Sequence, residues 1–281
     1  MTLLSTESLN LNPYNCDLNA IKFYTICSTR PDLNITSRKV ISIFSRPELQ
    51  NAHDWKYETF DYDISQYGFR DIDLPEVVDF AAFGCSFTFG QAMPLNKLWH
   101  KILTQQTNLT SYNFGQPGTS VKAIVDIFNI VSRFIKFKKA IFLLPNYLRQ
   151  LVATQHKISD TQMLLPLLPN YQGNLQEHYD IDIDNYFKYV PETELIRIFK
   201  DNLFALEDIA KQRNIQIYLS SWDRKTYEIL SSINFSTANL IPEWHAGNVP
   251  DYQTDLARDK QHPGFRHHEY WANEIKRYIT A

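Results

Sequence analysis

The segment DFAAFGCSFTFG (79–90) combines a short apolar run with a glycine, a cysteine and a serine that follow it at once. A continuous apolar run that ends at a glycine is typical of a strand buried on both faces, so we predict a first strand over 79–84. Ser86 would then lie where the strand turns into a helix, and such a serine exposes its hydroxyl beside the amino-terminal N–H groups of that helix. A serine at this point is also an ordinary N-cap, so a chemical and a structural role both remain open.

Downstream of this segment, apolar runs alternate with stretches of helical periodicity. Predicted strands cover 79–84, 110–115, 139–144, 215–221 and 238–241, and predicted helices cover 121–137, 194–213 and about 267–278. Strands that alternate with helices indicate βαβ units and a parallel sheet. We therefore predict an α/β fold, a three-layer α/β/α sandwich with a mostly parallel, flavodoxin-like sheet. Ligands bind such sheets at the carboxyl ends of the strands.

The first 75 residues differ from the rest of the chain. They are rich in Asn, Asp, Ser and Tyr, with short β-like pieces at 39–44 and 56–64 and no long amphipathic helix. We predict an irregular, partly β amino-terminal extension over 1–75 and an α/β domain over 76–281. A stretch of mixed character at about 150–190 is expected to be an insertion over the site.

Composition argues against several classes of function. A net charge of −3 over 281 residues provides no basic surface for nucleic acid or an anionic membrane, so we expect neither partner. Because there is neither a leader-like amino terminus nor an apolar run of membrane-spanning length, we expect a cytoplasmic protein, or a virion component assembled there. Cys16, Cys27 and Cys85 form an odd, sparse set and not a disulfide framework.

Glycine and asparagine residues follow the second and third predicted strands. In NFGQPGT (113–119), Gly118 would let a backbone N–H approach a ligand closely, as an oxyanion donor must, although the same letters also form an ordinary Pro-Gly turn. Asn146 follows the third strand, where a carboxamide can donate to a developing oxyanion or shape a turn.

An acidic residue and a histidine lie three residues apart just before the last predicted helix. On one tight turn, His262 can take the proton of a serine hydroxyl while Asp259 orients and stabilises the imidazolium. His267 and His268 raise the alternative of a metal cluster, but they fall on the predicted helix and further ligands at suitable spacing are missing. We therefore expect no metal and no cofactor.

Three of these segments together resemble the sequence blocks of the SGNH (GDSL-like) serine hydrolases, in the GCSFT-type variant. GCSFTFG (84–90) looks like the nucleophile block, NFGQPGTS (113–120) like the second block and DKQHPG (259–264) like the last block, in the family's order. The segment QYGFRD (66–71) is similar to one found ahead of this domain in many bacterial members.

The resemblance implies a role for each matching residue. Ser86 would be the nucleophile, His262 the general base and Asp259 its partner. The oxyanion hole would consist of the N–H groups of Ser86 and Gly118 and the side chain of Asn146.

The sequence departs from the family pattern in two places. Cys85 stands where the family usually has Asp, and LPNY (144–147) replaces Gly-x-Asn-Asp in the third block. Arg149, just beyond the third block, is a candidate substitute donor or a ligand for an anionic substrate, and also reads as a surface arginine.

The predicted function is hydrolysis of a small-molecule or carbohydrate ester through an acyl-serine intermediate, with carbohydrate O-deacetylation as one outcome. An O-acyltransferase would use the same residues. A binding or structural module that has lost activity, such as a phage-particle component, is the main alternative, and Cys85 as nucleophile is another. The aromatics Tyr147, Trp222 and Trp244 are candidates for a sugar-stacking wall or for the core.

Overall fold

A computed structural model of the chain describes residues 39–41, 61–63, 65, 67–71, 73–155, 162–167, 182–244, 255–257 and 262–280. The strands are β1 (Lys39–Ile41), β2 (Asp61–Asp63), β3 (Phe80–Gly84), β4 (Ser111–Asn113), β5 (Lys139–Leu144), β6 (Gln150–Gln155), β7 (Gln162–Leu167), β8 (Gln216–Ser221) and β9 (Asn239–Leu240). The helices are α1 (Ser86–Phe89), α2 (Trp99–Thr107), α3 (Val121–Phe134), α4 (Ile183–Tyr189), α5 (Glu192–Gln212), α6 (Arg224–Ser231) and α7 (Phe265–Ile279), with a short 3-10 turn at Leu95–Lys97.

Five of these strands form one parallel sheet in the order β4-β3-β5-β8-β9. Numbered along the chain, that order is 2-1-3-4-5, which is the flavodoxin-like arrangement. The predicted α/β class and flavodoxin-like sheet are therefore confirmed. Because all five strands run the same way, the residues that follow them emerge at one edge of the sheet.

Helices cover both faces of the sheet, which gives the predicted three layers. Helices α3 and α5 contact each other on one face, and α2 and α7 contact each other on the opposite face. Side chains of β3 pack into both helical layers. Ala81 and Phe83 lie in the apolar cluster on the α3 side of the sheet, while Phe80 and Ala82 lie in the cluster on the α2 side. This alternation is the reason the run is apolar throughout, since neither face of the strand meets water.

Aromatic rings fill the layer between the sheet and helix α3. The ring of Phe83 stacks on Phe142 of the neighbouring strand at 4.9 Å and on Phe114 at 5.1 Å, and it meets Phe128 of α3 edge-on at 5.4 Å. Ser120 caps α3, because its side chain accepts a hydrogen bond from the Ala123 N–H at 3.3 Å. These aromatic rings are thus part of the hydrophobic core.

Two elements of the sandwich were not predicted from periodicity. Helix α2 buries Trp99, Ile102 and Leu103, but polar residues interrupt the apolar pattern and no side chain caps its start. Helix α6 is only 8 residues long, and Asp223 caps it by accepting from the Thr226 N–H. Both helices depend on contacts with the rest of the fold more than on their own sequence.

Part of the region before residue 76 packs against the edge of the sheet. Phe69 is fully buried against the rings of Tyr112 and Phe114, and Arg70 forms an antiparallel bridge with Asn113. The β-like pieces predicted at 39–44 and 56–64 contain β1 and β2, which pair antiparallel. The domain boundary at 75/76 stays a prediction.

The stretch predicted as an insertion contains an antiparallel hairpin made of β6 and β7. Cys85 is buried and unpaired as a thiol, whereas Cys16 and Cys27 lie outside the described residues. Within the described part of the chain, no helix is long and apolar enough to cross a membrane.

Candidate active site

The backbone passes directly from β3 into α1, and Gly84 makes that passage possible by its lack of a side chain. A Cβ on Gly84 would lie 2.2 Å from Thr88 Oγ1 and 2.7 Å from the carbonyl oxygen of Leu143 on the adjacent strand. The glycine is therefore required by close approach. Two residues later, Ser86 begins α1 and is 6% exposed.

Helix α1 is a single turn that begins at Ser86 and ends at Phe89. The Ser86 carbonyl accepts hydrogen bonds from the N–H groups of Gly90, at 2.9 Å, and Gln91, at 3.0 Å. Gly90 takes the left-handed conformation, with φ 77°, that ends the helix. As the first helical residue, Ser86 has the N–H groups of a helix start around it, which have no acceptor within the helix.

The segment after β4 is fastened to this turn. Gln116 donates its N–H to the Gly84 carbonyl at 2.9 Å, and the Asn113 amide donates to the Thr88 carbonyl at 2.7 Å. A Cβ on Gly115 would lie 2.5 Å from the Phe89 nitrogen, so that position too must be glycine for the two backbones to meet. Gly118 differs, because a Cβ there would meet nothing within 4 Å, and its φ of 72° is what favours glycine.

The Asn146 side chain, after β5, is held by two hydrogen bonds. Its Nδ2 donates to Asp223 Oδ1 at 3.0 Å, and its Oδ1 accepts the Leu148 N–H at 2.8 Å. A carboxamide nitrogen carries two hydrogens, so one remains after the bond to Asp223. The orientation of this half-buried amide is thus set by the N-cap residue of α6.

His262 lies on a short hairpin that leads into α7. The His262 carbonyl accepts the Ala257 N–H at 2.8 Å, and Leu256 bridges Pro263. Buried Asp255 ties this hairpin to the helix, since its carboxylate accepts the His267 N–H at 3.1 Å. The predicted partner Asp259 lies outside the described residues.

The ring of Phe87 joins the His262 hairpin to the ends of two other strands. It meets the imidazole of His262 edge-on at 5.6 Å, the indole of Trp222 at 4.7 Å and that of Trp244 at 5.8 Å. Because Phe87 is the residue after Ser86, the structure brings the predicted base next to the segment that carries the predicted nucleophile. Phe87 was assigned no role from the sequence, although it lies within GCSFTFG (84–90).

The three aromatics considered for a sugar-stacking wall do not lie together. Tyr147 is buried on the opposite side of the sheet, against Phe199 of α5, and its hydroxyl donates to Glu192. Trp244 is also buried and stacks on Trp271 at 5.5 Å. Of the three, only Trp222 is half-exposed.

His267 and His268 lie on helix α7, and both side chains are buried. His268 Nδ1 accepts the Trp99 N–H at the start of α2, at 3.3 Å, and burial lowers the pKa of His268 to about 3. Burial also depresses the pKa of His100, which contacts Asn113 and Ser111. Among the described residues, no group of histidine, cysteine and acidic side chains is arranged to hold a metal ion.

Arg70, which was assigned no role from the sequence, binds backbone carbonyls at the end of helix α1 and just after it. Its fully buried guanidinium donates to the carbonyls of Phe89 at 3.2 Å, Gly90 at 2.8 Å and Met93 at 2.7 Å. A cation is stabilising at a helix carboxyl terminus, where carbonyl groups lack partners. Its segment, QYGFRD, was the only available signal.

Comparison with protein-family models and with curated proteins finds no match. Similar solved structures include a protein from Desulfitobacterium hafniense described as lipolytic and of the G-D-S-L family. It is 15% identical, with 72% of this chain and 99% of that chain covered and a TM-score of 0.46.

Two further similar structures come from other bacteria. A psychrotrophic esterase from Pseudoalteromonas sp. is 11% identical over 74% of this chain and 100% of that chain, with a TM-score of 0.46. An acetyl xylan esterase from Butyrivibrio proteoclasticus is 10% identical over 75% of this chain and 65% of that chain, with a TM-score of 0.44. All three proteins are named as esterases or lipolytic proteins.

Proposed function

We propose that this chain is a serine-dependent ester hydrolase with Ser86 as nucleophile, His262 as general base and Asp259 as the residue that orients His262. The observation that carries the proposal is the contact between the His262 ring and Phe87, directly beside Ser86, at the carboxyl edge of a flavodoxin-like sheet. Parallel sheets of this kind bind their ligands at that edge.

The reaction begins when Ser86 Oγ attacks the ester carbonyl and His262 accepts the hydroxyl proton. The N–H groups of Ser86 and Gly118 and the second amide hydrogen of Asn146 would stabilise the oxyanion. Collapse of the tetrahedral intermediate breaks the bond to the alcohol, which leaves with the proton from His262. Water then attacks the acyl-serine and gives a proton to His262. The bond between the acyl group and Ser86 Oγ breaks, the acid leaves, and His262 returns the proton to Ser86. An alcohol in place of that water would make the reaction an acyl transfer.

Within ester hydrolysis, the finer proposal is removal of acetyl groups from carbohydrate. Half-exposed Trp222 beside the site supports it, because the part of the indole that Phe87 and Arg149 leave exposed can contact the apolar face of a sugar. Release of acetate from an acetylated oligosaccharide, set against release from a simple aryl acetate, measures this preference.

One observation favours a second candidate, a binding module on the same fold without hydrolytic turnover. The Asn146 amide already donates one of its two hydrogens to Asp223, which leaves a single hydrogen for an oxyanion and fixes the orientation of the amide. Cys85 as nucleophile has less support, since its side chain is fully buried.

Labelling by a fluorophosphonate probe tests the serine directly. We expect stoichiometric labelling of the wild-type protein, at Ser86 by peptide mapping, because only a serine activated by a base reacts with such a probe. Ser86→Ala should abolish the label, while Ser232→Ala, which alters an exposed serine at the end of α6, should retain it. Labelling that persists in Ser86→Ala and disappears in Cys85→Ala would contradict the proposal.

A further inference from the structure

Arg149 follows β5 at the same edge of the sheet as Ser86 and has unused hydrogen-bond donors. Its Nε and Nη1 are buried from solvent and have no hydrogen-bond partner in the structure. The guanidinium lies over the ring of Trp222, 5.6 Å from its centroid. The indole therefore holds the cation in place by its face, while the donors of the guanidinium remain unused.

Among the described residues, no carboxylate forms an ion pair with this cation. Asp223 accepts from the amide of Asn146 and from the N–H and hydroxyl of Thr226. Glu243, which follows β9, forms no ion pair with Arg149, and none of the ion pairs found among the described residues includes Arg149. Buried donors without acceptors are costly, so an anion that accepts from them is favoured.

The position of this cation relates it to the reacting group. Trp222 contacts Arg149 and also Phe87, with the two ring centroids 4.7 Å apart, and Phe87 is the residue after Ser86. One aromatic ring thus separates the guanidinium from the segment that carries the proposed nucleophile. We therefore expect a substrate bound at Ser86 to extend towards this positive charge.

We propose that Arg149 determines specificity for esters that carry a carboxylate, and that its guanidinium binds this carboxylate in the fork geometry typical of arginine. This rests on the proposed acyl-serine function of Ser86. The carboxylate belongs either to the acyl group, as in a hemisuccinate, or to the alcohol, as in an acetylated hydroxy acid. Both present the same two oxygens to the guanidinium.

Two matched pairs of esters test the proposal with the full-length protein. The acyl pair is p-nitrophenyl butyrate and mono-p-nitrophenyl succinate, and the alcohol pair is phenyl acetate and 4-acetoxybenzoate. For at least one pair, Arg149→Gln should lower kcat/KM for the charged ester about 10- to 100-fold and leave the neutral ester within about twofold. Arg149→Lys should recover part of the loss, because a lysine keeps the charge without the fork.

The matched control is Arg224→Gln, which removes the same charge from an exposed arginine at the start of α6. It should leave all four substrates unaffected. Equal losses for the charged and neutral members of both pairs, or no loss in Arg149→Gln, would overturn the assignment.

Failure of the proposed function is distinguished by Ser86→Ala, which should abolish hydrolysis of all four esters. If hydrolysis persists in that variant, or is absent from the wild type, Ser86 is not the nucleophile. Arg149 is then assessed by binding: titration of succinate or benzoate should quench tryptophan fluorescence saturably in the wild type but not in Arg149→Gln. No saturable change in the wild type would overturn the carboxylate site.

Discussion

Gly84 shows how much one missing side chain decides about this site. Its Cα faces Thr88 of the next helix and the Leu143 carbonyl of the next strand, at distances that leave no room for a methyl group. The position of Ser86 depends on that approach, since only Cys85 separates the two. A residue that looks like a turn former in the sequence is therefore a packing requirement in the fold.

Gly84→Ala should destabilise the protein by about 2–3 kcal/mol, because neither the Leu143 carbonyl nor the Cβ of Thr88 can move without shifting its own strand or helix. Urea denaturation measures this loss, and fluorophosphonate labelling should slow as Ser86 is displaced. Gly118→Ala is the matched variant for stability: it meets open space and should cost only about 1 kcal/mol, from its positive φ. A larger loss for Gly118→Ala than for Gly84→Ala would contradict this reading.

Asn146 is the residue at which the expected and observed surroundings differ most. If its second amide hydrogen points at the oxyanion, Asn146→Ala should lower kcat about 100-fold with KM nearly unchanged, because that bond strengthens in the transition state. Asn202→Ala, which removes an amide bonded only within α5, should leave kcat unchanged. An unaltered kcat in Asn146→Ala would remove this residue from the oxyanion hole and favour the binding-module alternative.

At the scale of elements, helix α1 is stable only in its context. It has four residues and no side-chain cap, and a helix this short does not persist alone. Its last carbonyls accept hydrogen bonds from outside the helix, from Asn113 at the end of β4 and from Arg70 in the segment that precedes the sheet. The turn that presents Ser86 is thus assembled from three separate parts of the chain.

Arg70→Met should destabilise the protein by about 3–5 kcal/mol, because it leaves the buried carbonyls of Phe89 and Met93 without donors and leaves Gly90 only the Met93 N–H. Arg70→Lys should recover part of this, since an ammonium reaches fewer of those carbonyls. Arg224→Met, at an exposed position, provides the control and should change the free energy of unfolding little. Urea denaturation distinguishes the three variants, and equal stability of Arg70→Met and wild type would contradict the supporting role of Arg70.

At the scale of the whole molecule, one helical layer buries titratable histidines. His100 on α2 and His268 on α7 both lie in the interior, where burial lowers the pKa of each imidazole. Unfolded imidazoles bind a proton near pH 6.5, whereas folded His268 does so only near pH 3. Between those values the unfolded chain holds more protons than the folded one, so stability falls as pH is lowered.

The free energy of unfolding should therefore be unaffected by these groups above about pH 6.5 and decline from there towards pH 3. The loss attributable to His268 should be on the order of 2 to 4 kcal/mol at the acid end. His268→Gln, which retains an acceptor for the Trp99 N–H without a titrating ring, should flatten part of this decline, with His100 responsible for another part. An unchanged acid profile in His268→Gln would show that the pKa of this imidazole is the same in the folded and unfolded states.

Elements with a strong local pattern were predicted correctly from the sequence, and elements that depend on tertiary contacts were not. The strands were predictable because an apolar run buried on both faces carries its own signal, as β3 and β5 do. Helix α3 was predictable because its buried residues recur at helical spacing behind Ser120. Helix α2 was missed because its buried face is interrupted and its stability comes from the contact with α7.

The sequence alone determined the α/β class, the parallel sheet and the placement of Ser86, Gly118 and Asn146 after successive strands, because local periodicity encodes strands and parallel strands end at one edge. Tertiary structure alone decided that His262 reaches Phe87, that Asp223 holds Asn146, that Arg70 supports α1 and that Tyr147 faces the other layer. Contacts between residues far apart in the chain leave no periodic signal, since they depend on how the layers pack. The charge of Arg149 was visible in the sequence, and its unused donors only in the fold.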